Sequence, residues 1–318
     1  MKRYSFGFET VPVALVDDLL IGSVHDGRNY KILLARVMGE EILETHFLSG
    51  KNDWEGGHSI ARIEGGYMIG GGAAEGGKAT SDGGVGWKAY VARLDEDLNV
   101  LWERKIEIRG GNEATYSILL AGGDSVFIAG DTGRPGNMGF FVGKLSMDGE
   151  LEWLKDFGNW EEVVTVSLLL GDKPKLIGSV KEECWKVVAF DFDSEGGNFL
   201  DRTTITEEGI ALTSTLWDDK LILAGYKEND LWVWSKEWEV TLPNGAATSL
   251  LPLGDGLLVG GEVEGTASVM ELSPNGEVLW KKSLWERGWV EVLGKDLAAG
   301  VKEEDGKTVM MVESIGEW

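Results

Sequence analysis

The chain has 318 residues, with 54 acidic against 30 basic side chains and a formal charge of −24. That surplus repels nucleic acid and anionic lipid, so neither is an expected partner. With one cysteine, Cys184, no internal disulfide can form, and no run of 18 apolar residues offers a membrane-spanning helix. The opening MKRYSFGFE has basic residues but no apolar stretch behind them, so no secretion signal is read. A cytoplasmic monomer is the resulting expectation. Gln is absent while Glu and Lys abound, the bias of a heat-adapted protein.

Along the chain one short pattern returns seven times. It is a turn, three or so apolar residues, then a small residue: VDDLLIGS (16–23), GGYMIGG (65–71), GDSVFIAG (123–130), KPKLIGS (173–179), DDKLILAG (218–225), GDGLLVGG (254–261) and GKDLAAG (294–300). Counted from the last small residue, the steps run from 36 to 59 residues, and the step across the two ends is 41. Seven units of this length, each with four short strands, predict an all-β, seven-bladed β-propeller occupying 1–318 as one domain. A six- or eight-bladed propeller is the alternative.

The predicted blades run over 9–48, 57–108, 113–157, 161–204, 208–242 and 246–285. From about 288 only three strands remain, GWVEVLG, KDLAAGV and KTVMMVES. Residues 2–8 are therefore expected to supply the fourth strand of the last blade, which closes the propeller and removes free edges.

DLNVLW (97–102), DGELEW (148–153) and NGEVLW (275–280) each join a turn to a strand ending in Trp, and each follows an alternating strand. They are read as the hairpin of the last two strands of a blade, with Trp102, Trp153 and Trp280 packing between blades. The hairpins YVARLDEDLNVLWERKIE and FFVGKLSMDGELEWLKDFG, each after a GGYMIGG-like strand, resemble the repeat of quinoprotein-like propellers. The resemblance implies the fold. The cofactor and calcium ligands of quinoprotein enzymes match no position here, so it implies no cofactor.

Irregularity gathers in the loops on one face. SGKNDWEGG (49–57) precedes blade two, AAEGGKATSDGGVG (73–86) lies within it, and DTGRPGNMG (131–139) lies within blade three. Long insertions on one face of a repeat array mark a binding face, although plain tolerance of insertions also produces them. Lys51, Asp53, Trp54, His58, Lys78, Asp82, Arg109, Asn112, Asp131, Arg134 and Trp160 are the candidate binding residues. Trp54 and Trp160 stand in blade-to-blade loops among polar neighbours, where an aromatic serves either as a binding anchor or as packing.

Motifs for chemistry are thin. Gly72 to Lys78 resembles a phosphate loop, but Ala79 stands where Ser or Thr is needed and no helix can follow. His25, His46 and His58 have no ligand spacing. Asp95, Asp97 and Asn99 alternate as in a calcium loop, yet the Gly and distal Glu are missing, so they read as a hairpin turn. No catalytic residue, metal or cofactor is assigned. The expectation is a non-catalytic scaffold that binds a protein or small ligand on the loop face. The rival is an enzyme or small-ligand protein with its site at the mouth of the central channel, drawing on His58, Glu113, Asp131 and Arg134.

Overall fold

A computed structural model describes residues 1–48, 54–74, 86–171 and 173–316. Among the described residues there are 28 strands, and they fall into seven antiparallel groups of four taken in chain order. The seven-bladed β-propeller read from the repeat is the fold. The blades span 9–48, 54–106, 114–160, 163–206, 210–242 and 245–286, and the seventh joins 288–314 to the N-terminus. The chain divides into two compact units. One holds blades two to four, and the other holds blades one, five, six and seven but for two short pieces of blade one, Asn29–Ile32 and residues 46–48.

The repeated motif forms the second strand of each blade, and its side chains are buried on both sheet faces (Gly66–Ala74 throughout). A strand covered on both sides reads as a nearly continuous apolar run rather than an alternation. The small residue at its end has a specific cause. In all seven blades the pairing of first and second strands skips one residue, leaving a β-bulge at Val13, His58, Tyr116, Val166, Leu212, Thr248 and Glu291. Opposite the residue before each bulge stands a glycine: Gly22, Gly71, Gly130, Gly178, Gly225, Gly261 and Gly300. A Cβ on Gly71 would lie 1.8 Å from Gly56 O, and one on Gly225 would lie 1.9 Å from Ile210 O. At six of the seven the neighbouring backbone carbonyl is pressed onto this position, and at Gly178 the Phe140 ring is, 2.5 Å from where a Cβ would stand, so glycine fits best. In blades one and four that glycine precedes the serines, Ser23 and Ser179, from which the period was counted.

In the unit of blades one, five, six and seven, the fourth strand of blade seven is Lys2–Tyr4, as expected. Lys2, Arg3 and Tyr4 pair with Val312, Met311 and Met310. Arg3 bridges to Glu304 at 2.8 Å, and the Tyr4 hydroxyl donates to Glu40 O at 2.9 Å and accepts from Ile42 N at 3.2 Å. Tyr4 and Phe6 cover the core formed by Leu20, Leu33, Met310 and Val312. A single parallel pair, Glu9 with Thr308, joins blades one and seven into one eight-stranded sheet. Blade five is trimmed, with short outer strands Asp230–Trp234 and Glu239–Leu242.

In the unit of blades two to four, the core between blades three and four is aromatic. Phe127, Phe140, Phe190 and Phe192 are buried there, with Trp153, Phe157 and Trp160 packed against them. Adjacent blades are also pinned by indoles. Trp102 of blade two donates to Met147 O of blade three at 2.8 Å and lies over Gly149, while Trp153 of blade three lies over Gly197 of blade four. Trp238 does the same in the other unit, donating to Pro274 O at 2.9 Å over Gly276. Trp280 instead donates to Glu271 of its own blade.

The hairpin before each docked turn is fixed by one side chain. Asp95 Oδ1 accepts from the amides of Asp97 (2.9 Å) and Asn99 (2.8 Å), and Asp193, Ser146, Ser235 and Ser273 cap their own turns likewise. The alternating oxygens at Asp95, Asp97 and Asn99 are this turn.

Candidate functional site

The expected binding residues separate into three groups. Lys51, Asp53, Lys78 and Asp82 lie outside the described residues, as does the side chain of Trp54, whose backbone opens the first strand of blade two. Trp160 stands at the end of the last strand of blade three rather than in a loop. It pairs with Met138, and its indole packs at 5.6 Å from Phe140 and 5.8 Å from Phe190. It is partly buried against the aromatic core of blades three and four.

The remaining residues lie around blade three, where one carboxylate organises a corner. Glu113 is 1% exposed. It accepts from the amides of Ile108 (2.9 Å), Arg109 (2.5 Å) and Gly110 (3.0 Å) and from the Thr132 hydroxyl (3.1 Å). A carboxylate collecting several N–H groups fixes their backbone as a helix N-cap does. On this corner, Asn112 N donates to Gly133 O at 2.9 Å and the exposed Arg134 donates to Gly110 O at 3.3 Å. Arg109 turns back to pair with Asp156 and donates to Gly158 O at 3.0 Å. Asn112 Oδ1 is buried with no hydrogen-bond partner among the described residues.

A second cluster comes from the bulges. His58 and Tyr116 occupy the same bulge position in blades two and three, with ring centroids 4.8 Å apart. Asp131, on the second strand of blade three, accepts from Thr165 N of blade four at 2.9 Å and from the Thr165 hydroxyl through the same oxygen, Oδ1. Burial lowers the His58 pKa to about 4 and raises that of Asp131 to about 7 against the pull of the Thr165 bonds. Burial also raises Tyr116, with the Asp131 charge adding to it. Yet Tyr116 is 38% exposed.

The sequence suggested His58, Glu113, Asp131 and Arg134 together; in the structure Glu113 and Arg134 share the Gly110 corner, His58 packs on Tyr116, and Asp131 holds Thr165, two partners that no motif pointed to. Tyr116 is the residue that the bulge releases, and Thr165 faces Gly178 at the matching place in blade four; both follow from strand pairing and not from any sequence motif.

In the other unit the bulge residue of blade seven is Glu291. It is raised to about 7 by burial and accepts from the Trp289 indole. A groove of about 660 Å³ lies between the turns of blades six and seven, lined by Leu253, Asp255, Leu258, Glu271, Leu279 and Lys295 among others. Among the described residues no group of three or more His, Cys, Asp or Glu side chains could hold a metal ion.

No family model matches the chain, and no curated protein does. Solved structures match along nearly all of it. BamB from Moraxella catarrhalis superimposes with a TM-score of 0.52 at 13% identity, over 96% of this chain and 86% of that one. The β-propeller domain of the Trilobed protease from Pyrococcus furiosus, described as having an open velcro topology, gives 0.54 at 12% identity, over 97% and 96%. A puromycin hydrolase mutant gives 0.60 at 16% identity, over 93% of this chain and 50% of that one, so the chain spans half of that enzyme. At such identities the likeness is one of fold, and the chain is a β-propeller.

Proposed function

We propose that this propeller is a non-catalytic binding scaffold whose contact face is built on the loops entering and crossing blades two and three. The observation that carries the reading is the Glu113 corner. A buried carboxylate spends its hydrogen-bonding capacity on holding residues 108–110 and Thr132 in one arrangement, with Arg134 exposed beside it. A surface already ordered before contact loses little conformational entropy on binding, which is what a docking platform requires. The long segments 49–57 and 73–86 adjoin the same elements in sequence and enlarge the face in this reading.

Amide hydrogen exchange of the full chain, alone and mixed with an extract of its source cells, tests this. Added protection over 108–112 and 131–139 supports the reading. Protection gained only in other segments overturns it.

A further inference from the structure

The groove between blades six and seven lies at a position that the repeat defines. Glu271 lines it, and on its own sheet Glu271 stands between Leu258 and Trp280. The same place in blade two, between Met68 and Trp102, belongs to Arg93. Arg93 reaches across to blade three and donates to Met147 O at 3.0 Å. The facing elements correspond as well. Met147 N donates to Asp124 O at 2.8 Å in blade three, and Ile315 N donates to Asp296 O at 3.0 Å in blade seven. Where an arginine joins blades two and three, blades six and seven present an acid and a space of about 660 Å³.

Glu271 does not cross that space. It accepts from the Trp280 indole of its own blade through Oε2, and its Oε1 lies where a Cβ on Gly256 would stand. A carboxylate with one oxygen so engaged can still accept donors on the other. Asp255 and Asp296 stand at the exposed rim with one cation, Lys295, so three carboxylates face one ammonium group.

The walls define the rest of the ligand. Leu253 and Leu279 line the groove, and Leu279 is 55% exposed. Apolar walls leading to a carboxylate suit a long aliphatic stem with a cationic head. A guanidinium takes a carboxylate bidentately and is more weakly hydrated than an ammonium, so arginine fits better than lysine. The fold itself uses arginine at the equivalent place, and the chain's charge of −24 favours encounter with a basic partner. We propose that the groove between blades six and seven receives the arginine side chain of a basic segment of a partner protein. The guanidinium binds Glu271 Oε1 and a rim carboxylate, and the stem lies along Leu253 and Leu279. This site is independent of the scaffold face on blades two and three.

Amide and indole NMR of the purified full chain at physiological salt tests it. The probe is an acetylated, amidated pentapeptide with arginine at its centre and alanine elsewhere, added up to about 5 mM, the range expected for one anchored side chain. Its controls are the same peptide with citrulline, which keeps the shape without the charge, and methylguanidinium, which lacks the stem. The Trp280 indole signal, assigned with Trp280→Phe, and the amides of Asp255, Gly256 and Asp296 shift saturably with the arginine peptide. Both controls bind at least about tenfold more weakly. Glu271→Gln weakens the peptide by about tenfold or more, roughly the loss of one charge-assisted bond. Glu271→Arg, which copies blade two, fills the groove from within and abolishes uptake, while Glu64→Gln on an exposed turn of blade two changes nothing. Absence of saturable shifts at these signals overturns the site. So does wild-type affinity in Glu271→Gln or Glu271→Arg variants whose spectra elsewhere match wild type. The citrulline peptide or methylguanidinium binding as tightly as the arginine peptide also overturns it.

Discussion

Asp131 of blade three holds Thr165 of blade four through one oxygen, Oδ1, which accepts both the Thr165 amide at 2.9 Å and its hydroxyl. These bonds favour the carboxylate, but burial outweighs them and raises its pKa to about 7. His58 is displaced the other way, to about 4, also by burial.

The two shifts act oppositely on stability. The folded state holds the Asp131 proton more tightly than the unfolded chain, so its contribution is full below pH ~4 and is lost as pH rises to about 7. The folded state resists protonating His58, so that contribution is full above pH ~6.5 and is lost as pH falls to about 4. Between these limits the two partly cancel. Urea denaturation from pH 4 to 8 is expected to show Asp131→Asn gaining stability relative to wild type as pH rises, by ~1–3 kcal/mol at pH 8. His58→Phe gains relative to wild type as pH falls. Parallel curves for all three proteins would contradict these shifts.

The N-terminal strand completes blade seven through Tyr4, Phe6 and the Arg3–Glu304 pair. Deleting residues 1–8 exposes the edge of the strand Lys307–Ser314 and uncovers Met310 and Val312. The expected loss is about 3 kcal/mol from apolar burial, read as a lower midpoint in thermal unfolding.

The indole pins predict an asymmetry between two glycines that both have positive φ. Gly39 has φ +57° and open space where a methyl group would stand, while Gly197 has φ +68° and a Cβ there would lie 2.4 Å from the Trp153 ring. Gly39→Ala is expected to cost about 1 kcal/mol from backbone strain alone. Gly197→Ala is expected to cost at least about 2 kcal/mol more, as Trp153 is driven off blade four. Chemical denaturation of the pair checks the difference.

Glu113→Ala leaves the amides of Ile108, Arg109 and Gly110 and the Thr132 hydroxyl without their acceptor. A loss of about 3 kcal/mol is expected. Amide exchange should accelerate over 108–110 well before it does in Gly66–Ala74, whose strand lies in the core.

Much of the fold was legible because the blades repeat. Seven copies of one buried strand gave the blade number, and the missing strand after 288 pointed to residues 2–8. The cause of the repeat was not legible. A bulge is a property of two paired strands, and its released residue can be Val13, His58, Tyr116 or Glu291 with no shared chemistry. The same blindness hid Tyr116 from the candidate site. Trp160 ends the outer strand of blade three where a loop was expected, and only the pairing with Met138 shows the strand continuing to it. The Asp95 turn looked like a metal loop because a carboxylate capping successive amides uses the same spacing as one holding a cation.

The scaffold reading is tested most directly by affinity capture from source-cell extract with three baits side by side. These are wild type, a face variant carrying Lys51→Ala, Lys78→Ala and Arg134→Ala, and a control carrying Asp148→Ala in the exposed turn between the last two strands of blade three. The account predicts a protein retained by wild type and by the Asp148→Ala bait and lost from the face variant, all three being folded by circular dichroism. Retention of the same proteins by all three baits, or of none by wild type, would contradict it.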